Sequence, residues 1–312
     1  MHSHHSHSGD YVSHAVGSLE EMVGTAKAKQ LTHFCLTEHM PRLTDQYLYP
    51  EELEKGYTVA NLKANFENYL THARRIQARE NLAGQIQILV GFEVEGIDLA
   101  HIELASMFKK QTDMCIGSVH YVHGIPIDFD REQWDMARTA SGGTTRALYK
   151  DYFNLQYEVI RALKPDVIGH FDLIRLFQED EIDQTGRLLS EIDVERDWPD
   201  VWELIVRNIK LVVSYGGLFE LNSSAIRKGW LTPYPRKDLA RAIVKFGGKF
   251  CLSDDSHAYK QVALNYHRVW EYVQELGLTH IYHLELNSLG KTIVAEDSVA
   301  ALSELTFWDQ YK

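Results

Sequence analysis

Cysteine is scarce in this chain of 312 residues: only Cys35, Cys115 and Cys251 occur. Each lies inside an apolar, strand-like run, so each is expected to pack as a small hydrophobe, and an odd, sparse set makes no disulfide framework. A reducing compartment is expected, with the cytoplasm as the default. Long apolar runs are missing too. No stretch reaches the roughly eighteen apolar residues of a membrane span, and no basic-then-apolar leader pattern is found. The formal net charge of −12 lacks the basic footprint of a general nucleic-acid groove. It leaves a phosphorylated small molecule open, because bound metals reverse the local sign. Gly216-Gly217 and Gly247-Gly248 read as helix ends rather than phosphate-cradling loops. There is no dinucleotide fingerprint, linker or low-complexity segment.

What is present is enough hydrophobic residue, 45%, for a sizeable core, arranged in alternating strand-like and helical patterns. A helix is predicted near 18–30, opened by the capping box Ser18-Leu19-Glu20-Glu21. A strand over 32–37 follows, then a long helix around 59–80 with Leu62, Phe66, Tyr69, Leu70, Ala73 and Ile76 on one face. Further strands are expected at 86–92, 114–119, 166–169, 218–221, 250–253 and 280–286, the last followed by a short tail. Helices are expected near 148–163, 199–214 and 236–247. Residues 121–147 are polar and read as an irregular lid or insertion. The alternation implies α/β architecture with a parallel sheet. A distorted (β/α)7 TIM-like barrel over a single domain, 1–312, is the leading reading; an open doubly wound sheet is second.

Nine metal-ligand candidates punctuate this pattern: His5, His7, His14, His39, Glu93, His120, His170, Asp255 and His257. Most follow directly on an apolar run, which puts imidazoles and carboxylates at the carboxyl ends of strands, where such barrels build their sites. Imidazole with carboxylate suits Zn, Mn or Fe, whereas oxygen alone would suit Ca or Mg. Serines interrupt the first histidine run and a helix start follows, unlike an affinity tag.

The motifs His2-Ser-His-His-Ser-His-Ser-Gly, Thr37-Glu-His, Gly91-Phe-Glu, Gly117-Ser-Val-His, Gly169-His-Phe-Asp and Asp254-Asp-Ser-His together resemble the polymerase-and-histidinol-phosphatase (PHP) superfamily. Phe219-Glu-Leu-Asn-Ser-Ser-Ala-Ile-Arg-Lys resembles its monofunctional histidinol-phosphatase branch of fungal type. The resemblance implies a trinuclear site of three divalent transition metal ions. His5, His7, Glu93 and Asp255 would hold one; Glu93 would bridge to a second with His120 and His170; His14, His39 and His257 would hold the third. His5 and His7 are preferred over His2 and His4 because His2 leaves only Met1 for the preceding strand. Arg175 and Arg227 would clamp a substrate phosphate, with Asn222 and Arg42 as further substrate-binding candidates and Lys228 a weaker one. Asp255 or His257 would protonate the leaving alkoxide. Asp254 would orient its neighbours.

The implied activity is hydrolysis of a small-molecule phosphate ester, L-histidinol phosphate, in histidine biosynthesis, with neither nucleic acid nor membrane as partner. Two alternatives stand beside it. One is another phosphoesterase of the superfamily, acting on phosphotyrosine or on nucleotides as a 3′-phosphatase or exonuclease. The other is a non-catalytic metal-binding module. The residues that would read the substrate's imidazole and amine, and the oligomeric state, are not legible.

Overall fold

The computed structural model describes residues 1–178, 182 and 186–312. The chain opens on β1 (His2–Ser3) and α1 (Leu19–Ala28), whose start is fixed by the Ser18–Glu21 capping box. β2 (His33–Leu36) and the one-turn α2 (Pro50–Glu54) lead to α3 (Val59–Ala83), which buries Phe66, Tyr69, Ala73 and Ile76 as the sequence pattern requires. The Tyr69 hydroxyl is shared between the carbonyls of Leu36, at 2.6 Å, and Gly91, at 2.7 Å, and so ties α3 to two neighbouring strand ends.

β3 (Gln87–Val90) is followed by α4 (Leu99–Lys109), a helix absent from the sequence expectations; Asp98 caps it by accepting the His101 N–H at 2.9 Å. After β4 (Ile116–Gly117), the segment expected to be irregular is regular. It forms a hairpin of β5 (Tyr121–Val122) and β6 (Ile125–Pro126), then α5 (Arg131–Ala140). α5 lies on the surface and buries only Trp134 and Ala137, a helix largely polar in composition with a narrow apolar stripe.

α6 (Thr145–Leu163), β7 (Val167–Ile168), α7 (Val194–Asp197) and α8 (Pro199–Tyr215) continue the alternation. β8 (Leu218–Asn222), α9 (Ser224–Arg227), α10 (Lys237–Lys245) and β9 (Lys249–Ser253) extend it. α11 (Tyr266–Glu275) precedes β10 (His280–Leu286). The expected short tail is instead an antiparallel partner, β11 (Thr292–Ser298), then α12 (Val299–Ser303) and a 3-10 turn that buries Phe307.

Two parallel sheets result, β1-β2-β3 and β4-β7-β8-β9. Their ends are linked. His4 N–H reaches Leu252 O at 3.2 Å and His7 N–H reaches Ser256 O at 2.7 Å, while bridges His39–Glu93 and Glu93–Ile116 connect the ends of β2 and β3 to β4. Cys35, Cys115 and Cys251 are buried and unpaired, as expected; Cys35 and Cys251 pack with Leu89, Met114, Ile116, Val167, Leu218 and Leu284. Among the described residues, no helix is long and apolar enough to cross a membrane. Parallel strands send their carboxyl ends the same way, so the side chains that follow them meet at one end of the fold.

Candidate metal centre

His5 and His7 follow β1, and Glu93 follows β3. Glu93 is the hub. Its Oε2 lies 3.1 Å from His5 Nε2, 3.3 Å from His7 Nε2 and 3.2 Å from His39 Nδ1. Its Oε1 lies 3.2 Å from His120 Nε2 and 2.9 Å from His170 Nε2. Asp255 Oδ1 completes the first group, 3.6 Å from His5 and 3.5 Å from His7. Asp255 holds a positive φ of 48°, a region sparsely used outside glycine. Two groups hold it there: its carbonyl accepts from Arg227 Nη2 at 3.0 Å, and Ser224 Oγ donates to its Oδ2 at 3.1 Å.

His257 and His14 sit nearer the mouth. The His257 ring lies 4.4 Å from that of His7 and 4.9 Å from that of His14, and the His7 and His39 rings stack at 4.3 Å. His14 is a third exposed, and its Nδ1 lies 3.3 Å from Glu51 rather than against the inner carboxylates.

Seven buried ring nitrogens in this cluster have no hydrogen-bond partner: His5 Nε2, both nitrogens of His7, both of His39, and Nδ1 of His120 and His170. Leaving such atoms unsatisfied costs about 1–3 kcal/mol each. Five of the seven approach carboxylate oxygens at 3.1 to 3.7 Å, near the roughly 3.4 Å edge of a tetrahedron of ligands about 2.1 Å from a zinc ion. The donor set therefore fits divalent metals. Burial opposes charge on His5, yet Glu93, Asp255 and Glu220 outweigh it and hold the ring well above its ordinary value. His7 is pushed up to about 10 against burial by Asp255, Glu38 and Glu93. Burial would raise Glu93 and Asp255, but the surrounding histidines hold both well below the carboxylate range.

Three carboxylates went unread in the sequence. Glu95, fully buried, lies between His39 (3.2 Å) and His120 (3.3 Å) and pairs with Arg42. Glu220 accepts from the His170 N–H at 2.5 Å and Asn222 Nδ2 at 2.7 Å, and lies 3.1 Å from His5 Nδ1. Glu38 accepts from Ser8 and lies 3.7 Å from His7 Nδ1. The available signal was a charged residue inside an apolar run, as Glu220 is in Leu-Phe-Glu-Leu. Asp254 accepts the backbone N–H groups of Ser256 and Ala263, fixing the loop that carries Asp255 and His257.

Gly169 shows why a motif glycine stands there. A Cβ would lie 2.3 Å from Ser118 Oγ, the hydroxyl that donates to Glu93 Oε1 at 2.7 Å.

A cavity of about 350 Å³ opens over the cluster, lined by His14, His39, Glu93, His120, His170, Asp255 and His257, with Arg227 and Lys228 on one side. Tyr49, Glu51, Asp128 and Phe129 line it as well. The other substrate-binding candidates fall elsewhere. Arg175 is buried, 3.1 Å from Asp172, and lies over the rings of Trp230 and Tyr234; it does not line this cavity. Arg42 is buried against Glu52 and Glu95, and Asn222 is spent on Glu220 and the Ser224 N–H. His2 and His4 point away from the centre: their Nε2 atoms accept the N–H groups of Leu252 and Leu284, each at 2.9 Å.

Fold and site together define an α/β protein with a candidate metal centre at its strand ends. The PHP domain model matches residues 3–224, and the chain belongs to that family. It is 38% identical to the histidinol-phosphatase of Saccharomyces cerevisiae, over 91% of this chain and 92% of that one. It is 41% identical to the protein named "Probable histidinol-phosphatase" from Schizosaccharomyces pombe, over 95% and 93%. A solved structure, histidinol phosphate phosphatase from Lactococcus lactis complexed with zinc, L-histidinol and phosphate, shares the fold with a TM-score of 0.62. That pair is 18% identical, with 94% of this chain and 98% of that one covered.

Proposed function

We propose that this chain is a metal-dependent phosphomonoesterase that hydrolyses L-histidinol phosphate to L-histidinol and phosphate in histidine biosynthesis. The observation that carries the reading is the 38% identity to the yeast histidinol-phosphatase across nine-tenths of both chains. The His4–Leu252 and Glu93–Ile116 links between the two parallel sheets support a single domain over 1–312 of distorted (β/α)7 barrel type.

Three divalent ions fit the donor groups. His5, His7, Glu93 and Asp255 would hold one, and Glu93, His120 and His170 a second. His39 and His257 would hold the third, with His14 as its further ligand once released from Glu51. Bound there, such ions neutralise phosphate oxygens and lower the pKa of water toward ~7. The need is visible in the lining. Four carboxylates, Glu51, Glu93, Asp128 and Asp255, face two cations, Arg227 and Lys228, a balance that repels a phosphate dianion unless metals reverse it.

The chain's own residues bind and orient. Two of Arg227's five N–H donors serve the carbonyls of Asp254 and Asp255; the others remain for a phosphate oxygen. Arg175, paired with Asp172 and donating to the Pro233 carbonyl, would reach substrate only by giving up Asp172. Asp128 carries a buried, unpartnered Oδ1, and Phe129 stacks on Tyr49 at 5.9 Å. These are the acidic and aromatic partners that an ammonium and an imidazole require. His257 Nδ1 lies 3.0 Å from the Asp255 carbonyl, which fixes the ring; Asp255 or His257 would take the proton of the attacking water and return it to the leaving alkoxide.

Phosphate release by metal-loaded protein from L-histidinol phosphate, phosphotyrosine and a 3′-nucleotide tests the reading. Preference for L-histidinol phosphate is expected. Equal or better turnover of either rival, or no release at all, contradicts it.

A further inference from the structure

A second histidine group lies at the opposite ends of the strands. His2 and His33 start β1 and β2, and the β10–β11 hairpin brings His283, Glu285 and Asp297 against them. Strand alternation puts His283 and Glu285 on one face. The register pairs Ile281 with Asp297 and His283 with Ala295, so Asp297 stands diagonally beside His283.

The histidines here are not equivalent. His2 and His4 accept backbone N–H groups at Nε2, so each carries its proton on Nδ1 and has no free lone pair. They tie β1 to β9 and β10. His33 and His283 differ. His33 Nδ1 lies 3.1 Å from Thr32 Oγ1, which leaves Nε2 free, 3.8 Å from Glu285 Oε2. His283 Nε2 lies 3.7 Å from the same carboxylate, and the two rings are 4.3 Å apart. The His283 side chain is only 7% exposed, and its Nδ1, 3.2 Å from Asp297 Oδ2, makes no hydrogen bond. Close nitrogen–oxygen approaches without hydrogen bonds are the pattern of the catalytic cluster as well.

We propose that His33 Nε2, His283 Nε2 and Glu285 Oε2 bind one divalent transition metal, of zinc type, that clamps the β10–β11 hairpin to β2. One ligand atom from each of the three lies within 4.8 Å of the others. The two nitrogen–oxygen approaches, 3.8 and 3.7 Å, close to the roughly 3.4 Å edge of a zinc tetrahedron by a few tenths of an ångström, and the two nitrogens, within 4.8 Å of each other, by about 1.4 Å at most. Two imidazoles and a carboxylate suit zinc and leave a fourth position for water, on the side where His33 and Glu285 are 18% and 34% exposed. The outer nitrogens are placed as metal-bound histidines require, toward a hydroxyl at Thr32 and a carboxylate at Asp297, which fixes the tautomer. Burial lowers His33 to about 3, so the ring is neutral at pH 7, the form that binds metal. The site shares no residue with the catalytic cavity and does not depend on the proposed activity.

The test compares zinc-loaded wild type with Glu285→Gln and His33→Asn. Elemental analysis after equilibration at one fixed free zinc concentration should find one equivalent fewer in each variant, with phosphate release per chain unchanged. Hydrogen exchange adds a second measurement: zinc should slow exchange of the β10–β11 amides in wild type and in neither variant. Glu285 is partly exposed on the hairpin, so its variant keeps the test available if His33→Asn misfolds. Equal zinc content in wild type and Glu285→Gln overturns the proposal.

Discussion

Replacing Glu220 by Gln tests how the inner ligands are held, because the change keeps size and removes charge. Glu220 Oε1 accepts two N–H donors, from the His170 backbone at 2.5 Å and Asn222 Nδ2 at 2.7 Å, and Oε2 faces His5 Nδ1 at 3.1 Å. With Nε2 of His5 turned to a metal, Nδ1 carries the proton and needs an acceptor. A glutamine whose oxygen replaces Oε1 sets its NH₂ against that donor. Flipped, it sets the NH₂ against His170 and Asn222 instead. Neither orientation satisfies all three, and the site is fully buried. Loss of a partner behind a ligating histidine typically costs ~10–100-fold in metal affinity or activity, which is about 1.4–2.7 kcal/mol. Competition against a chromophoric zinc chelator, with kcat/KM for L-histidinol phosphate measured beside it, reads the effect. Affinity and kcat/KM both within twofold of wild type would refute the reasoning.

His5→Ala or His7→Ala should abolish most metal binding and turnover. His2→Ala and His4→Ala should spare both while lowering the melting temperature, since each strands a buried N–H worth about 1–3 kcal/mol; the reverse order, by elemental analysis and assay, would move the ligand register. Gly169→Ala should push Ser118 off Glu93 and cut kcat at least tenfold with the fold intact by circular dichroism, and unchanged kinetics would remove Ser118 from the account. Loading the metal-free chain at pH 7 should release protons, because His5 and His120 are held well above their ordinary value and His7 at about 10, and ligation requires the neutral ring. Calorimetry in two buffers of different ionisation enthalpy counts them; none released would contradict the paired-proton picture. By the same linkage, the stabilisation His7 gives the metal-free chain is complete below about 6.5 and fades as pH rises through about 10.

Most of the candidate ligands were legible because they stand where an apolar strand stops, and that junction is written locally. The carboxylates that orient them were not, because Glu220 meets His5 across 215 positions of chain and only tertiary structure pairs them. Arg175 is a phosphate-contact candidate whose surroundings the sequence did not show. Its place after a strand suggested a phosphate contact, but Asp172 three residues earlier and two aromatic faces engage it. The parallel strands were readable from their apolar runs. Helices α4 and α5 and strand β11 were not read, although its hairpin partner β10 was expected over 280–286. The third metal group is the least legible part: His14 was placed in it only through the family resemblance, and the folded chain turns it toward Glu51.

Anomalous diffraction from crystals of fully active protein, purified without chelator, tests the central claim most directly. The account predicts three transition-metal peaks around Glu93, among His5, His7 and Asp255, at His120 and His170, and at His39 and His257. A single peak or none at these positions, in protein with full turnover, would contradict it.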